Sequence, residues 1–187
     1  MQERLRPVRV GAVGSEISKS LVASFVPVAV LGLALVLGPT PGDTSELQPD
    51  RIVVMKSERK LMLMVGDAVV RSMNISLGLM PRGPKRQEGD FRTPEGEYFI
   101  DAKNADSDYF LSLKVSYPNA TDWDVAQGLG VDPGGQIMIH GLPNDPRYAE
   151  ATYVGWDWTD GCIAVSNSDM VDLWRLISVS MPIEIRP

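Results

Sequence analysis

Hydrophobic residues that alternate or cluster in short runs predict β-strands from residue 51 onward. Residues 51–56 and 60–65 are rich in Val, Ile, Leu and Met, and residues 68–77 continue the pattern after the turn-forming pair Gly66–Asp67. Strands joined by such short turns pair antiparallel. The domain therefore opens with a β-meander rather than a helix.

The strand pattern returns further along the chain. Residues 109–117 alternate between apolar and polar, and residues 182–185 form a closing strand. Two shorter runs lie at residues 137–139 and 163–165. If these two runs pair in a sheet, the residues that flank them come close together.

One segment near the end of the chain has the periodicity of a helix. Asn167 or Ser168 can cap it, and Asp169 lies in its first turn. Its apolar face consists of Met170, Val171, Trp174, Leu176 and Ile177. Together with the strands, this segment predicts a mostly β domain: a closed or sandwiched mixed β-sheet with one or two short helices.

The first part of the chain has a different character. Residues 21–38 are almost continuously apolar and follow a basic flank, which is typical of a secretory signal or a membrane anchor. An uncleaved anchor is favoured, because no small-residue cleavage site follows and Pro39 and Pro41 occupy the expected position. The basic side of such an anchor stays in the cytoplasm.

These features predict an order of segments. Residues 1–20 form a cytoplasmic basic tail, residues 21–38 contact the membrane as anchor or signal, and residues 39–50 form a Pro/Gly-rich linker. The folded domain then occupies residues 51–187. We expect it in the cell envelope, as a periplasmic domain that is anchored to the inner membrane or secreted.

The charge of the chain limits its partners. The net charge of the 187 residues is -6, and the first 42 residues hold four Lys/Arg and two Glu, which leaves 14 basic and 22 acidic residues in the rest. An acidic domain without a basic stripe argues against nucleic-acid binding.

The chain has one histidine, His140, and one cysteine, Cys162, each beside one of the two short apolar runs. A thiol becomes a good nucleophile when a base removes its proton, and histidine is the usual base near neutral pH. A structural role is the alternative for each residue alone. A metal site is disfavoured, because zinc takes about four ligands and the chain has no second Cys or His.

The residues around this pair resemble a known family. His140–Gly141, a loop, and then the run TDGCIAVSN over residues 159–167 resemble the L,D-transpeptidase catalytic domain (YkuD-like) family. The TPEG run at residues 93–96 is also similar to that family, and the resemblance covers about residues 51–187. Asp160 replaces a second histidine of many members, and Ala164 replaces an arginine.

The resemblance implies a fold of the L,D-transpeptidase type and a cysteine-dependent reaction on peptidoglycan stem peptides, without metal or cofactor. Cys162 would be the nucleophile and His140 the base. The Gly141 carbonyl would orient His140, and backbone N–H groups at Gly161 and Cys162 would bind the oxyanion. The acceptor would be an amine of a neighbouring stem or of an envelope protein lysine.

Substrate contacts are expected from Thr159, Asp160, Trp158 and Arg92. Trp158 and Trp156 would form a wall of the groove, although core packing is the alternative for at least one of them. Arg92, like Lys85 and Arg86 in the same loop, offers a cation for a carboxylate, with a solvated loop as the alternative for each.

Three functions remain open from the sequence. The first is a transpeptidase, and the second is a hydrolase of the same scaffold, a carboxypeptidase or amidase. The third is a non-catalytic wall-binding protein. The first two share the acyl-enzyme step, so the residues do not separate them.

Overall fold

The computed structural model describes residues 48–187. The predicted membrane segment and most of the linker lie outside these residues. Within them, no helix has the length and apolarity needed to cross a membrane.

The strands are β1 (Arg51–Met55), β2 (Lys60–Val65), β3 (Ala68–Asn74), β4 (Gly96–Ser107), β5 (Phe110–Val115), β6 (Met138–His140), β7 (Ile163–Ala164) and β8 (Pro182–Arg186). The helices are α1 (Ala120–Leu129), α2 (Glu150–Tyr153) and α3 (Asn167–Leu176).

The eight strands form one mixed sheet in the order β3-β2-β1-β8-β4-β5-β6-β7. β1 pairs with β8, and β6 with β7, in parallel, while the other neighbours are antiparallel. Single bridges from Ser76 to Ala164 and from Gly78 to Thr159 connect the two ends of the sheet. The predicted mostly β, closed mixed sheet is confirmed.

The interior of the sheet is filled by aliphatic side chains. Ile52 and Val54 of β1 and Leu61 and Leu63 of β2 have no exposed surface, as their period-2 spacing predicts. Burial of one such side chain contributes about 1.5–3 kcal/mol. Helix α3 adds Met170, Leu173 and Leu176 and packs against β5. This packing fixes the strands that carry the site.

Two local features differ from the expectation. Helix α1 has no counterpart in the hydrophobic pattern, because only Ala126 of its ten residues is buried and its hydrophobic period is weak. Its signal is a capping box in which Asn119 and Asp122 bond each other's backbone N–H. The N-cap of helix α3 is Ser166, one residue before the expected Asn167 or Ser168, because the Ser166 side chain accepts the Asp169 N–H.

Candidate active site

Strands β6 and β7 bring the unique histidine and cysteine together. They pair in parallel with His140 opposite Ala164, and Cys162 directly precedes β7. The predicted pairing of the two apolar runs is thereby confirmed. Both side chains line one cavity of about 380 Å³, which we call the histidine-side cavity.

The histidine presents one nitrogen to this cavity. His140 is 4% exposed, and its Nδ1 lies 2.7 Å from the Gly141 carbonyl oxygen. Because a carbonyl only accepts, this contact assigns the proton to Nδ1 and leaves Nε2 with a lone pair. Nε2 has no hydrogen-bond partner in residues 48–187. The imidazole therefore keeps one nitrogen available to accept a proton, and His140 lines the cavity.

The backbone after His140 is held by several contacts. The Gly141 N–H donates to the carbonyls of Tyr109 and Leu111, and the Leu142 N–H donates to the Asn167 side chain at 2.8 Å. A Cβ at Gly141 would lie 2.5 Å from that Asn167 oxygen, so only glycine fits. Asn167, expected as a helix cap, therefore fixes the carbonyl that orients the imidazole.

Two aromatic rings enclose the imidazole. The Tyr109 ring centroid is 4.6 Å from that of His140, and the Trp158 centroid is 5.7 Å away in an edge-on arrangement. Trp158 Nε1 donates to the Tyr153 carbonyl, which fixes the indole. This burial lowers the pKa of His140, and the Gly141 hydrogen bond only partly offsets it. The imidazole is therefore neutral at neutral pH.

Trp158 lines the cavity, as expected. Trp156 does not; it is 72% exposed, and the prediction that it forms a wall of the groove is wrong. Tyr109 was missed. It lies at the tip of the β4–β5 hairpin, where the local sequence gives no indication that a distant strand packs beside it.

The turn before Cys162 is braced by one hydroxyl. Thr159 Oγ1 accepts the Gly161 N–H at 3.2 Å and donates to the Cys162 carbonyl at 2.8 Å. Gly161 has φ +133°, and a Cβ there would lie 2.7 Å from the Arg92 carbonyl oxygen. Glycine is required at this position by both the backbone angle and the close approach. Thr159 is buried, so its role here is to hold the turn.

This bracing changes the expected oxyanion site. The Gly161 N–H, predicted as a donor to the oxyanion, is already bonded to Thr159. The Cys162 N–H has no partner in the described part of the chain. Of the two backbone groups expected to bind an oxyanion, only that of Cys162 is free in this arrangement.

The thiol of Cys162 is half-buried. Its Sγ accepts the Met138 N–H at 3.4 Å and lies 3.6 Å from the Gln136 carbonyl oxygen. Within residues 48–187 no hydrogen bond joins this thiol to His140. Burial raises the pKa of Cys162, as does the Asp160 carboxylate, whereas the Met138 N–H and the Lys85 ammonium lower it. The resting site therefore contains a neutral thiol and a neutral imidazole.

A second cavity opens on the other side of the thiol. It has about 440 Å³, and Cys162, Lys85, Phe91 and Ile137 are among its lining residues. His140 is not among them. We call it the lysine-side cavity. Asp160 lines both cavities, as does Gln136, whose φ of +56° is unusual for a non-glycine residue.

Two charged residues lie away from both cavities. The Arg92 guanidinium lies next to Gly83, and Arg92 lines neither cavity, so the structure does not bring it to the predicted substrate site. Asp157 forms a 2.6 Å ion pair with Arg59 and also accepts the Leu77 N–H. Of the acidic residues in the loop before Cys162, only Asp160 lies at the cavities.

No group of three His, Cys, Asp or Glu side chains in residues 48–187 is placed to hold a metal ion. The chemistry available at the site is that of a thiol, an imidazole and backbone N–H groups. Such a set is suited to acyl transfer through a thioester.

The chain is similar to several known proteins. Over 98 residues the chain is 35% identical to the Escherichia coli K12 protein named "Putative L,D-transpeptidase YafK", and the match covers 51% of this chain and 32% of that protein. The crystal structure of the helical cell shape determining protein Pgp2 from Campylobacter jejuni is similar with a TM-score of 0.54 and 26% identity. That match covers 72% of this chain and 46% of the Pgp2 chain.

An L,D-transpeptidase from Stackebrandtia nassauensis matches with a TM-score of 0.50 and 10% identity over 75% of this chain and 57% of its own, which supports the fold alone. The chain spans about a third of the length of the curated relative that it matches and about half of Pgp2. The family model for the L,D-transpeptidase catalytic domain (YkuD) matches residues 49–185. The chain therefore belongs to the YkuD family of L,D-transpeptidase catalytic domains.

Proposed function

We propose that this protein is a cysteine-dependent L,D-transpeptidase that acts on peptidoglycan stem peptides through a thioester acyl-enzyme. The observation that supports this most is the shared cavity: His140, whose Nε2 has no partner in residues 48–187, lines it from β6, and Cys162 lines it from the residue directly before β7. The Gly141 carbonyl holds the imidazole in the tautomer that a base requires.

Acylation begins from the neutral pair. As the sulfur of Cys162 attacks the carbonyl of the third stem residue, Nε2 of His140 removes the thiol proton. The free Cys162 N–H donates to the developing oxyanion; a donor of this kind contributes about 3 kcal/mol in serine hydrolases. The imidazolium then protonates the amine of the leaving D-alanine, and the thioester remains.

Deacylation reverses these proton transfers. An amine from a neighbouring stem, or from a lysine of an envelope protein, enters the histidine-side cavity and attacks the thioester carbonyl while His140 takes its proton. The new C–N bond forms, the C–S bond breaks, and the imidazolium returns the proton to the sulfur of Cys162. Asp160, Asp106 and Asp108 line this cavity, whereas no Lys or Arg of residues 48–187 lines it. An acidic wall attracts a cationic amine, and exclusion of water strengthens that attraction. We assign Asp160 to acceptor attraction and Trp158 to the shielding of His140.

Among the described residues, no Lys or Arg lines the histidine-side cavity, and this favours a second candidate function. A leaving D-alanine carries a carboxylate beside its amine, and neither Ala164 nor a Lys or Arg among the described residues that line the histidine-side cavity offers a permanent positive charge to it. An amidase that releases a plain amine, such as the side chain of an attached protein lysine, avoids this repulsion. In that reaction, water resolves the thioester.

One incubation distinguishes these functions. The purified full-length chain is mixed with disaccharide-tetrapeptide and an excess of acceptor amine, and the products are identified by mass. Cross-linked or exchanged product supports the transpeptidase, and tripeptide at every acceptor concentration supports a hydrolase. Absence of any product that depends on Cys162, from this donor and from a lysine-linked donor, would instead indicate a non-catalytic wall-binding protein.

We further propose that the domain acts outside the cytoplasm, tethered by residues 21–38. The apolar run and its basic flank support this, and an envelope location fits the similarity to Pgp2, a helical cell shape determining protein. A reporter that works only outside the cytoplasm, fused after Asp50, should be active. Recovery of a soluble protein that lacks about the first 38 residues would indicate a cleaved signal instead.

A further inference from the structure

We propose that Lys85 binds a carboxylate of the acyl donor in the lysine-side cavity. This inference rests on the proposed nucleophile Cys162, and it specifies the donor as an anionic peptide. It is carried by a buried ammonium group that lines the cavity beside the thiol.

Lys85 is a buried lysine that is held in place by hydrogen bonds, rather than a solvated surface lysine. It is 6% exposed, and its Nζ donates to the Gln87 carbonyl at 3.0 Å and to Asp90 Oδ1 at 2.9 Å. An ammonium group has three donors, so one N–H remains without a partner in the described part of the chain. A buried donor without a partner gains more from a charged acceptor than an exposed one.

Asp90 holds this ammonium in place. It accepts the backbone N–H groups of Arg86, Gln87 and Arg92, so it ties the whole loop together. Burial acts to raise the pKa of Asp90, but these N–H groups and the Lys85 ammonium outweigh it and lower the pKa. The ion pair is thus formed before any ligand arrives, and a ligand need not order the lysine side chain.

The position of His140 determines which part of the substrate meets Lys85. The leaving amine must reach Nε2 to receive its proton, and His140 lines only the histidine-side cavity. The acyl residue lies on the other side of the attacked carbon. It therefore extends into the lysine-side cavity, where Lys85 is the single lining cation among residues 48–187 and Glu88 and Asp160 are the lining anions.

A free carboxylate is the group that satisfies this site. It neutralises the ammonium and accepts the remaining N–H in one contact, which a neutral amide or hydroxyl does less strongly. The Lys85 charge already acts on the thiol, because it lowers the pKa of Cys162. We therefore expect donors with a carboxylate near the attacked carbonyl to react faster than the same donors with a carboxamide.

The test compares two alkylating agents of the same size. Cys162 is the only cysteine, so iodoacetate and iodoacetamide react at one site, where the thiolate displaces iodide. Both reagents react with the thiolate, so the ratio of their alkylation rates at one pH does not depend on the fraction of Cys162 that is ionised. In Lys85→Met the ratio of iodoacetate to iodoacetamide should fall roughly fivefold relative to the wild type, since a partly screened cation beside the thiol is lost.

The matched control is Lys114→Met. Lys114 pairs with Asp101 at the surface of β5 and lines neither cavity, so this change should leave the ratio as in the wild type. A ratio in Lys85→Met that equals the wild-type ratio would overturn the inference. If Lys85→Met does not fold, the wild type decides: at constant ionic strength, added acetate should slow alkylation by iodoacetamide more than added acetamide does, and equal effects of the two would reject the site.

Donor peptides complete the test. A peptide donor with a carboxylate is compared with its carboxamide analogue. The wild type should show a lower KM for the carboxylate donor, and Lys85→Met should show equal KM values for the two donors. The change in kcat caused by Lys85→Met should be smaller than its change in KM. Absence of turnover with any donor would reject the proposed function, whereas the alkylation ratio would still decide the role of Lys85.

Discussion

The two cavities that meet at Cys162 differ in charge and in the group that each presents to the thiol. Within residues 48–187, the histidine-side cavity is lined by His140 and three carboxylates without a Lys or Arg, whereas the lysine-side cavity is lined by the buried Lys85 and not by His140. Proton transfer to an imidazole is therefore possible on one side only. Under the proposed function, this difference would place the amine groups of the reaction in the first cavity and the anionic acyl chain in the second.

The largest expected effect comes from the base on the first side. His140→Ala should lower kcat for acyl transfer by about 10²–10⁴-fold, because the variant loses the imidazole that accepts the thiol proton. Alkylation by iodoacetamide should change much less, since no hydrogen bond within the described residues joins the imidazole to the thiol at rest. Steady-state kinetics and alkylation rates measure the two effects. Equal losses in both would show that His140 sets the ionisation of the thiol.

The pKa shifts of His140 and Cys162 determine the expected pH profiles of acyl transfer and of alkylation. The pKa of His140 lies below its ordinary 6.5, so the neutral base, and with it kcat/KM, should persist to lower pH than an unperturbed histidine allows. The pKa of Cys162 lies above its ordinary 9.0, so alkylation should rise with pH at higher values than for an unperturbed thiol. An alkylation rate that is already maximal at neutral pH would contradict the neutral pair.

The second largest effect is expected at the turn that both cavities share. Gly161→Ala places a Cβ 2.7 Å from the Arg92 carbonyl oxygen at a φ of +133°. We expect the free energy of unfolding to fall by about 1–3 kcal/mol and kcat/KM by about 10²-fold, because the thiol and the Cys162 N–H are displaced. Denaturant titration and kinetics measure these losses. Gly66→Ala, at a hairpin turn with open space around it, controls for backbone strain alone.

A smaller effect is expected for the hydroxyl that braces this turn. Thr159→Val leaves the Gly161 N–H and the Cys162 carbonyl without their common partner, which costs about 1–3 kcal/mol of unfolding free energy. It also frees the Gly161 N–H, so kcat should fall less than in Gly161→Ala. Thr159→Ser keeps the hydroxyl and should retain activity. A Thr159→Val protein as stable as the wild type would show that the two bonds do not hold the turn.

The smallest effect concerns the carboxylate at the boundary of the two cavities. Asp160→Asn removes a charge that raises the pKa of Cys162, so iodoacetamide alkylation at neutral pH should become a few-fold faster. Use of an acceptor amine should fall by a similar factor while acylation falls less. Competition between amine and water for the acyl-enzyme measures this. Unchanged acceptor use would remove Asp160 from the acceptor side.

The sequence predicted the parts of the site that depend on residue identity. His140 and Cys162 stand out because each is the only residue of its kind and lies beside a short apolar run. The strands carry a strong period-2 pattern, so the closed sheet was also predictable. Helix α1 has almost no buried face, and its cap was the only signal.

The rest of the site depends on contacts between distant loops. Arg92 and Lys85 lie in the same charged loop, and nothing local indicates that Asp90 turns Lys85 toward the thiol and leaves Arg92 outside. Asp157 and Asp160 look equivalent in sequence. Of the two, Asp157 forms the ion pair with Arg59, which lies 98 residues before it in the chain. The occupied Gly161 N–H likewise follows from the geometry of one turn.

The central claim is that Cys162 forms the acyl-enzyme, and intact mass spectrometry tests it most directly. The full-length chain is exposed to a stem tetrapeptide, or to a carbapenem as a slowly released acyl donor, and its mass is measured before and after. We predict one covalent adduct, carried by the peptide that contains Cys162 and absent in Cys162→Ala. An adduct at another residue, or no adduct in a folded protein that still processes the tetrapeptide, would contradict the account.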